Sequence, residues 1–401
     1  MNKLIIKNVE IVDFSNTLNG DVYIEDGIIK EIGIEINKDC EVIDGMGKTL
    51  MPGFIDLHAH FREPGFEYKE DIKSGSGAAA KGGYTSVVLM ANTKPAISNK
   101  KDYDYVIQRG KEIGITNIHQ CVTVTKDMKG SSTEHLDSML NIEGLKFISE
   151  DGKGVMDSKI MIEAMNKAKK KNIVVISHAE SHDLSSVDMR LAENTMTWRD
   201  ITLAQHTGTR LHMAHVSTKE AMNHIIDGKK NGVNLTCEVT PHHIALNSKT
   251  KYRVNPPLRE EEDRLALIEG IKSGYVDCIG TDHAPHSEED KIGGAPGMIG
   301  LEFSFTICNT KLVEDKHITI NQLSYLMSKG PAKIMDDNSR GSIAIGKIAD
   351  LVLIDRNRKI KLNKESIVSK SKNSPLIGFE GFGQVAMTMK NGKIVYKEGE
   401  F

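Results

Sequence analysis

One rhythm governs the middle of this chain. Eight short apolar runs, GFIDLHAH, YTSVVLMANT, NIHQCVTVT, GLKFISEDG, NIVVISHAE, RLHMAHVST, VNLTCEVTPHH and VDCIGTDHAPH, alternate with amphipathic stretches such as KEDIKSGSGAAAKG, SKIMIEAMNKAKKKN and TKEAMNHIIDGKKN. Runs this short and apolar suit parallel strands buried on both faces, and the stretches between them suit crossover helices. Eight such βα units over roughly 280 residues fit an α/β fold, a closed (β/α)8 TIM-like barrel. With 401 residues the chain has room for a smaller second unit. Both ends supply it. LIIKNVEIVD, DVYIEDGIIKEIG and CEVIDGMGKTLMPG are β-branched runs split by turn residues, and VAMTMKNGKIVYKEGEF places Asn391-Gly392 in a hairpin position. The expected organisation is a barrel over 51–339 and a small β-sandwich domain formed by 1–50 plus 340–401.

The runs stop in a consistent way. Seven end in HAH, ANT, SEDG, SHAE, AHVS, TPHH and TDHAPH, and only VTVT lacks a His, Asp or Asn. In a closed barrel the C-terminal strand ends meet at one rim, where barrel enzymes keep their chemistry.

Charge and cysteine usage narrow the class. A net charge of −3 argues against a nucleic-acid groove or a polybasic membrane patch. The acidic run REEED at 259–263 reads as a solvated helix start. Cys40, Cys121, Cys237, Cys278 and Cys308 lie far apart, odd in number and without a CxxC pair, as reduced thiols of a cytoplasmic protein would. The N-terminus MNKLIIKNVEIVDF interleaves charges with apolar residues, unlike a signal peptide, and no segment reaches the ~18 apolar residues of a membrane helix.

Residues two apart on a strand share a face, so His58 and His60 point the same way, with Asp56. A lone HxH is as readily two polar residues beside a loop. Here Asp151 ends the fourth run, His178 the fifth, His215 the sixth and Asp282 the eighth. Four imidazoles and two carboxylates exceed what one tetrahedral zinc requires. They suit two Zn2+ ions about 3.5–4 Å apart with one bridging carboxylate. By the same alternation His212, three residues before His215, faces the other way and packs between strand and helix. Asp56 reads equally as an acceptor behind a ligand or as a capped loop residue. His242 and His243 suit hydrogen bonding rather than ligation.

HAHFREPGFEYKEDIKSG, GGYTSVVLMANTKP, SEDGKGVMDSKI, HVSTKEA, CEVTPHH, NPPLR, TDHAPH and PGMIGLE follow one another from about residue 51 to 305. In that series the chain resembles class I dihydroorotases of the amidohydrolase superfamily, and its β-rich ends resemble the superfamily's accessory domain. The resemblance implies reversible cyclisation of N-carbamoyl-L-aspartate to (S)-dihydroorotate and water in pyrimidine biosynthesis, by a metal-held hydroxide. It implies that His58 and His60 hold one metal, His178 and His215 the other, that Asp151 bridges them, and that Asp282 binds metal and shuttles the proton. Arg62, Asn92 and His286 would hold the substrate carboxylate, Asn255 would touch the ring, and Pro296 and Gly297 would offer backbone contacts. A homodimer and association with aspartate transcarbamoylase are further implications.

Two departures matter. Ala91 stands where the family usually has proline, and Lys146, in the fourth run, lies 32 residues before His178, near the spacing of the carboxylated lysine that bridges metals in hydantoinases and allantoinases. Asp151, 27 residues before His178 and followed by GKGVMDSKI, is the preferred bridge. The competing readings are a hydantoinase, dihydropyrimidinase or allantoinase-like cyclic amide hydrolase, which has no need of Arg62, and a non-catalytic scaffold for aspartate transcarbamoylase, which would tend to lose ligands. The glycines of SEEDKIGGAPG suggest a mobile loop over the substrate.

Overall fold

A computed structural model describes residues 3–400. Each of the eight apolar runs contains a strand: Phe54–Ala59, Tyr84–Leu89, Asn117–Gln120, Phe147–Ser149, Val174–Ser177, Leu211–Met213, Leu235–Val239 and Cys278–Ile279. They pair in parallel and in chain order within two sheets. Two parallel bridges, Val122 to Ile148 and Ala59 to His283, join those sheets into a closed barrel. At the second, His60 N–H donates to His283 O at 2.9 Å. The core holds Phe54, Tyr84, Val88, Phe147, Val175 and Cys237, all buried.

The loops that leave the rim also start the helices. Asp71, Asp157 and Thr218 cap Ile72–Lys81, Ser158–Lys170 and Lys219–Lys230, each side chain accepting from a first-turn N–H that lacks a helical partner. Beyond Ile72, the buried residues of Ile72–Lys81 are all small: Gly75, Ser76, Gly77 and three alanines. A Cβ at Gly75 would strike the Phe61 ring, so this small face admits Phe61 and anchors the chain just past His60. Helix Glu261–Lys272 begins in the acidic run. Contrary to the solvated reading, Asp263 is fully buried and takes both arms of Arg190, at 2.7 and 2.8 Å. SEEDKI is not simply glycine-rich loop either: Glu288–Ile292 is a short helix with a Ser287–Asp290 capping box.

The chain ends form one eight-stranded sheet, with Lys3–Val12, Thr17–Glu25, Ile28–Gly33, Glu41–Asp44 and Thr49–Pro52 from the start and Leu351–Lys361, Glu380–Lys390 and Lys393–Lys397 from the end. The halves meet where Thr49–Pro52 pairs antiparallel with Leu351–Lys361. Asn391 and Gly392, both at positive φ, make the hairpin turn. That turn reaches the Asp26–Gly27 turn near the other edge: a Cβ at Gly392 would sit 2.7 Å from Gly27 Cα. The sheet therefore folds over onto itself, as a sandwich does, around Ile6, Val22, Ile24, Leu351, Met387 and Met389. Between Lys361 and Glu380 the chain leaves this sheet for the barrel rim. There Asn373 Oδ1 accepts from His286 N at 3.0 Å, and its Nδ2 donates to Ala284 O and Gly297 O, both at 3.2 Å.

Candidate active site

All six candidate ligands stand at the C-terminal ends of barrel strands. His58 lies within the first strand and the others just beyond theirs. Past the last ladder bond, alternation no longer fixes which way a side chain points. Arg62, His215 and Asp282 have φ of 61°, 31° and 44°. Each non-glycine residue in that region costs about 1–3 kcal/mol, and such conformations persist where the surroundings impose them, commonly at functional sites. Here they turn all three side chains onto the rim.

Asp151 sits at the centre. Its Oδ1 lies 3.2 Å from His58 Nε2, 3.3 Å from His178 Nδ1 and 3.6 Å from His215 Nε2, while Oδ2 lies 3.4 Å from His60 Nε2. Two donor triads result, His58–His60–Asp151 and Asp151–His178–His215, with donor atoms within 4.8 Å of one another in each. Asp282 Oδ1 joins from the eighth strand, 3.1 Å from His60 Nε2 and 3.7 Å from His58 Nε2. His58 Nε2 and Asp151 Oδ1 are buried without a hydrogen-bond partner. Buried polar atoms are rarely left so, and divalent cations would satisfy both. Mixed imidazole and carboxylate donors suit a borderline cation, so the residues fit a metal centre.

The electrostatics agree. Burial would raise the Asp151 and Asp282 carboxyls, but the surrounding imidazoles outweigh it and hold both far below the ordinary range, as anions. Burial opposes charge on His178 too, yet the neighbouring Asp151 and Glu180 carboxylates lift it to about 9. Two buried carboxylates at one point draw positive charge from whatever is near.

A second ring of residues orients the first. Glu238, on the seventh strand and fully buried, accepts from His58 Nδ1 at 2.6 Å, approaches His212 Nε2 at 3.2 Å, and takes His215 N–H at 3.2 Å. Glu180 lies 3.0 Å from His178 Nε2 and accepts from Asn255 Nδ2 at 2.8 Å. Sequence reasoning missed both. The signal for Glu238 was present: a carboxylate inside an apolar run, CEV, must be paired wherever it is buried. The placement of His212 is corrected. It faces the interior, with Nδ1 2.8 Å from Thr236 Oγ1, because the strand ends at Met213 and the positive φ at His215 breaks the alternation. Asp56 accepts from Thr281 N at 3.0 Å, from the Thr281 hydroxyl and from His58 N at 3.1 Å, so it ties the eighth strand to the first. His243 bonds Thr240 Oγ1 and Pro256 O, and His242 is buried beside it. Lys146 precedes its strand, at the end opposite the rim that carries Asp151. Its charge bears instead on His119, which burial, then Arg340 and Lys146, take down to about 4.

Beside the triads is a cavity of about 210 Å³ walled by Arg62, Asn92, Asn255, His286, Pro296 and Gly297 together with every candidate ligand except His58. Arg62 Nε donates to Pro285 O at 3.2 Å, and its Nη2 lies 3.2 Å from His286 Nε2. Asn92 contacts the ligand set itself: Oδ1 lies 3.0 Å from His60 Nδ1, and Nδ2 donates to Asp151 Oδ2 at 3.2 Å. Gly297 has φ of 125°, and a Cβ there would lie 2.7 Å from Ala284 Cβ. The wall thus pairs a cationic fork with an anionic, cation-seeking floor, an arrangement suited to a small carboxylate-bearing molecule.

Comparison with known proteins agrees with that chemistry. The sequence model of the amidohydrolase family matches residues 49–395. The chain is 52% identical over 398 residues to a dihydroorotase of Clostridium botulinum, covering 99% of this chain and 100% of that one. It is 39% identical over 427 residues to a dihydroorotase of Ruminiclostridium cellulolyticum, covering 99% of each. Among solved structures, the dihydropyrimidinase from Brevibacillus agri superposes with a TM-score of 0.89 at 25% identity, over 100% of this chain and 96% of that chain.

Proposed function

Since the chain belongs to the amidohydrolase family and within it acts as a dihydroorotase, a metal-dependent cyclic amidohydrolase, we propose how its residues divide the reaction. The reaction interconverts N-carbamoyl-L-aspartate with (S)-dihydroorotate and water. His58 and His60 would hold one cation and His178 and His215 the other, with Asp151 shared between the two sets and Asp282 beside them. We assign two Zn2+ ions per subunit. The observation that supports this most is that Asp151 alone belongs to both triads. The cations supply Lewis acidity, acidifying water and offsetting negative charge on the ring carbonyl oxygen.

Arg62 and His286 grip the substrate carboxylate. A guanidinium fork matches a planar carboxylate with paired, charge-assisted bonds, and the anchor to Pro285 O fixes its direction. Asn255, held by Glu180, meets the ring, and the backbone at Pro296 and Gly297 closes the wall. Asn92 fixes His60 and Asp151 while facing the same cavity. During ring opening, water adds to the ring carbonyl carbon as Asp282 takes its proton. The carbon–nitrogen bond breaks, and Asp282 passes that proton to the departing nitrogen. Ring closure reverses each transfer. A carboxylate held as an anion is in the correct state to accept first.

The test is an assay of dihydroorotate ring opening, with hydantoin and dihydrouracil alongside, before and after chelation. We expect turnover of dihydroorotate to vanish on chelation and return with zinc, and rings lacking the carboxylate to react at least about a hundredfold more slowly. Preference for hydantoin, or activity indifferent to chelation, contradicts the assignment. A homodimer, association with aspartate transcarbamoylase and a cytoplasmic location are carried from the resemblance and the five unpaired cysteines. Light scattering and co-purification test the first two. No helix among the described residues is long and apolar enough to cross a membrane.

A further inference from the structure

His286 lies between two groups that only donate. Arg62 Nη2 is 3.2 Å from its Nε2, and Lys69 Nζ is 3.4 Å from its Nδ1. Neither guanidinium nor ammonium carries an acceptor. Burial first, then the charges of Arg62, Lys69 and Lys291, take His286 down to about 3, so the ring is neutral. A neutral imidazole has one N–H and one lone pair. It therefore accepts from one of these neighbours and turns an N–H toward the other.

The surroundings decide which. On the Nδ1 side the nearest carboxylate is Asp290, whose Oδ2 lies 3.9 Å away, too far for a hydrogen bond. That oxygen already takes Ser287 N at 3.2 Å and Ser287 Oγ at 3.0 Å, with Lys69 Nζ at 3.3 Å. Asp290 Oδ1 faces the Tyr68 hydroxyl at 3.4 Å. A proton on Nδ1 would face an ammonium and find no free acceptor. Lys69 is itself held in place, by Asp290 and over the Phe66 and Tyr68 rings at 5.3 and 5.4 Å from their centroids. His286 and Arg62 both line the cavity, and Nε2 is the ring nitrogen on the Arg62 side. Asn373 fixes the His286 backbone, so the ring pivots about an anchored point.

We propose that Lys69, which does not line the cavity, donates to His286 Nδ1 and thereby sets the tautomer that presents Nε2–H to the substrate. The Nε2–H and the Arg62 fork then converge on one point as donors, and the acceptor that suits them is a carboxylate on the substrate ring. Lys69 is a positioning residue for specificity toward carboxylate-bearing rings. This rests on the assignment of Arg62 and His286 as the carboxylate grip.

Three variants test it, assayed on the metal-loaded enzyme with dihydroorotate, with metal content measured in parallel. Lys69→Met removes donor and charge. Lys69→Gln keeps an N–H donor without the charge, and Lys69→Arg keeps both. We expect Lys69→Met to raise KM for dihydroorotate about tenfold or more, while kcat moves less than about threefold and metal content stays at the wild-type level. Lys69→Gln and Lys69→Arg should recover most of the lost KM. An unchanged KM in Lys69→Met overturns the proposal. So does a Lys69→Gln as impaired as Lys69→Met, since only the positive charge would then matter. If Lys69→Met does not fold, Lys69→Ser, too short to reach Nδ1, takes its place in the same comparison: a KM raised about tenfold and recovered in Lys69→Gln supports the proposal, and an unchanged KM overturns it. Wild-type enzyme that fails to open dihydroorotate would instead sink the parent assignment, and this proposal with it.

Discussion

Nδ1 of His58 donates to Glu238 Oε1 across 2.6 Å, from the first barrel strand to the seventh, with neither side chain exposed. That bond commits the single proton of a neutral His58 to Nδ1 and leaves Nε2 as a lone pair facing Asp151 and Asp282. In the proposed assignment the opposite ring nitrogen is thereby free to serve a metal because of a residue outside the ligand set.

Glu238→Ala should therefore weaken metal retention by about tenfold to a hundredfold, the usual effect of removing such a partner. Glu238→Gln, which keeps an acceptor for Nδ1–H, should be milder. Gly280→Ala should behave like Glu238→Ala, because its Cβ would strike the Glu238 carboxylate. Metal content after timed exposure to a chelator ranks the variants. Retention equal to wild type in Glu238→Ala would refute the link.

Asp151→Ala should lose at least one of the two ions, whereas Lys146→Ala should keep both. Asp151 supplies an oxygen to each triad, and Lys146 stands at the start of its strand near His119. Metal analysis of the two purified variants gives the answer, and the reverse pattern would return the bridge to Lys146.

Asp282→Asn should lower kcat by at least about a hundredfold, the lower end of what a positioned acid–base group contributes. The amide keeps the shape but cannot hold the proton between water and ring nitrogen. The histidines and Asp151 remain, so bound metal should persist at about half the wild-type content or more. Turnover within about tenfold of wild type would remove Asp282 from the proton path.

Gly297→Ala should raise KM for dihydroorotate by about tenfold. Its φ of 125° suits glycine, and the added Cβ would meet Ala284 Cβ at 2.7 Å and His286 Cδ2 at 3.3 Å. Steady-state kinetics on the variant, at matched metal content, measure the displacement of the wall.

Stability should fall on acidification between about pH 6.5 and 4 through His243. Burial takes this imidazole from 6.5 down to about 4. Above that window neither state is protonated. Within it the unfolded chain binds a proton that the folded chain refuses, so each pH unit costs about 1.4 kcal/mol, and below it the loss levels off. His243→Asn should flatten the dependence of Tm on pH across this interval. The change in slope, not the absolute Tm, is the readout.

Much of this protein is legible in the chain. All eight apolar runs contain barrel strands, and His58, His60, Asp151, His178, His215 and Asp282 meet at one rim. Those features are readable because they are local: an apolar period sets a strand, and the C-terminal ends of parallel barrel strands share one rim. Sequence reasoning fails where local rules stop. Alternation misplaces His212 because it ends at Met213, Asp263 escapes solvent because Arg190 claims it from another helix, and Glu238 hides among apolar neighbours.

The sequence alone thus determined which side chains reach the mouth, because strand period and strand ends are properties of consecutive residues. Tertiary structure decided what each does there. Which nitrogen of His58 carries the proton depends on Glu238, 180 positions away, and the ammonium beside His286 Nδ1 comes from Lys69, 217 positions before it. Protonation, tautomer and direction are set by the nearest charges in space, and closing the barrel is what makes those residues neighbours.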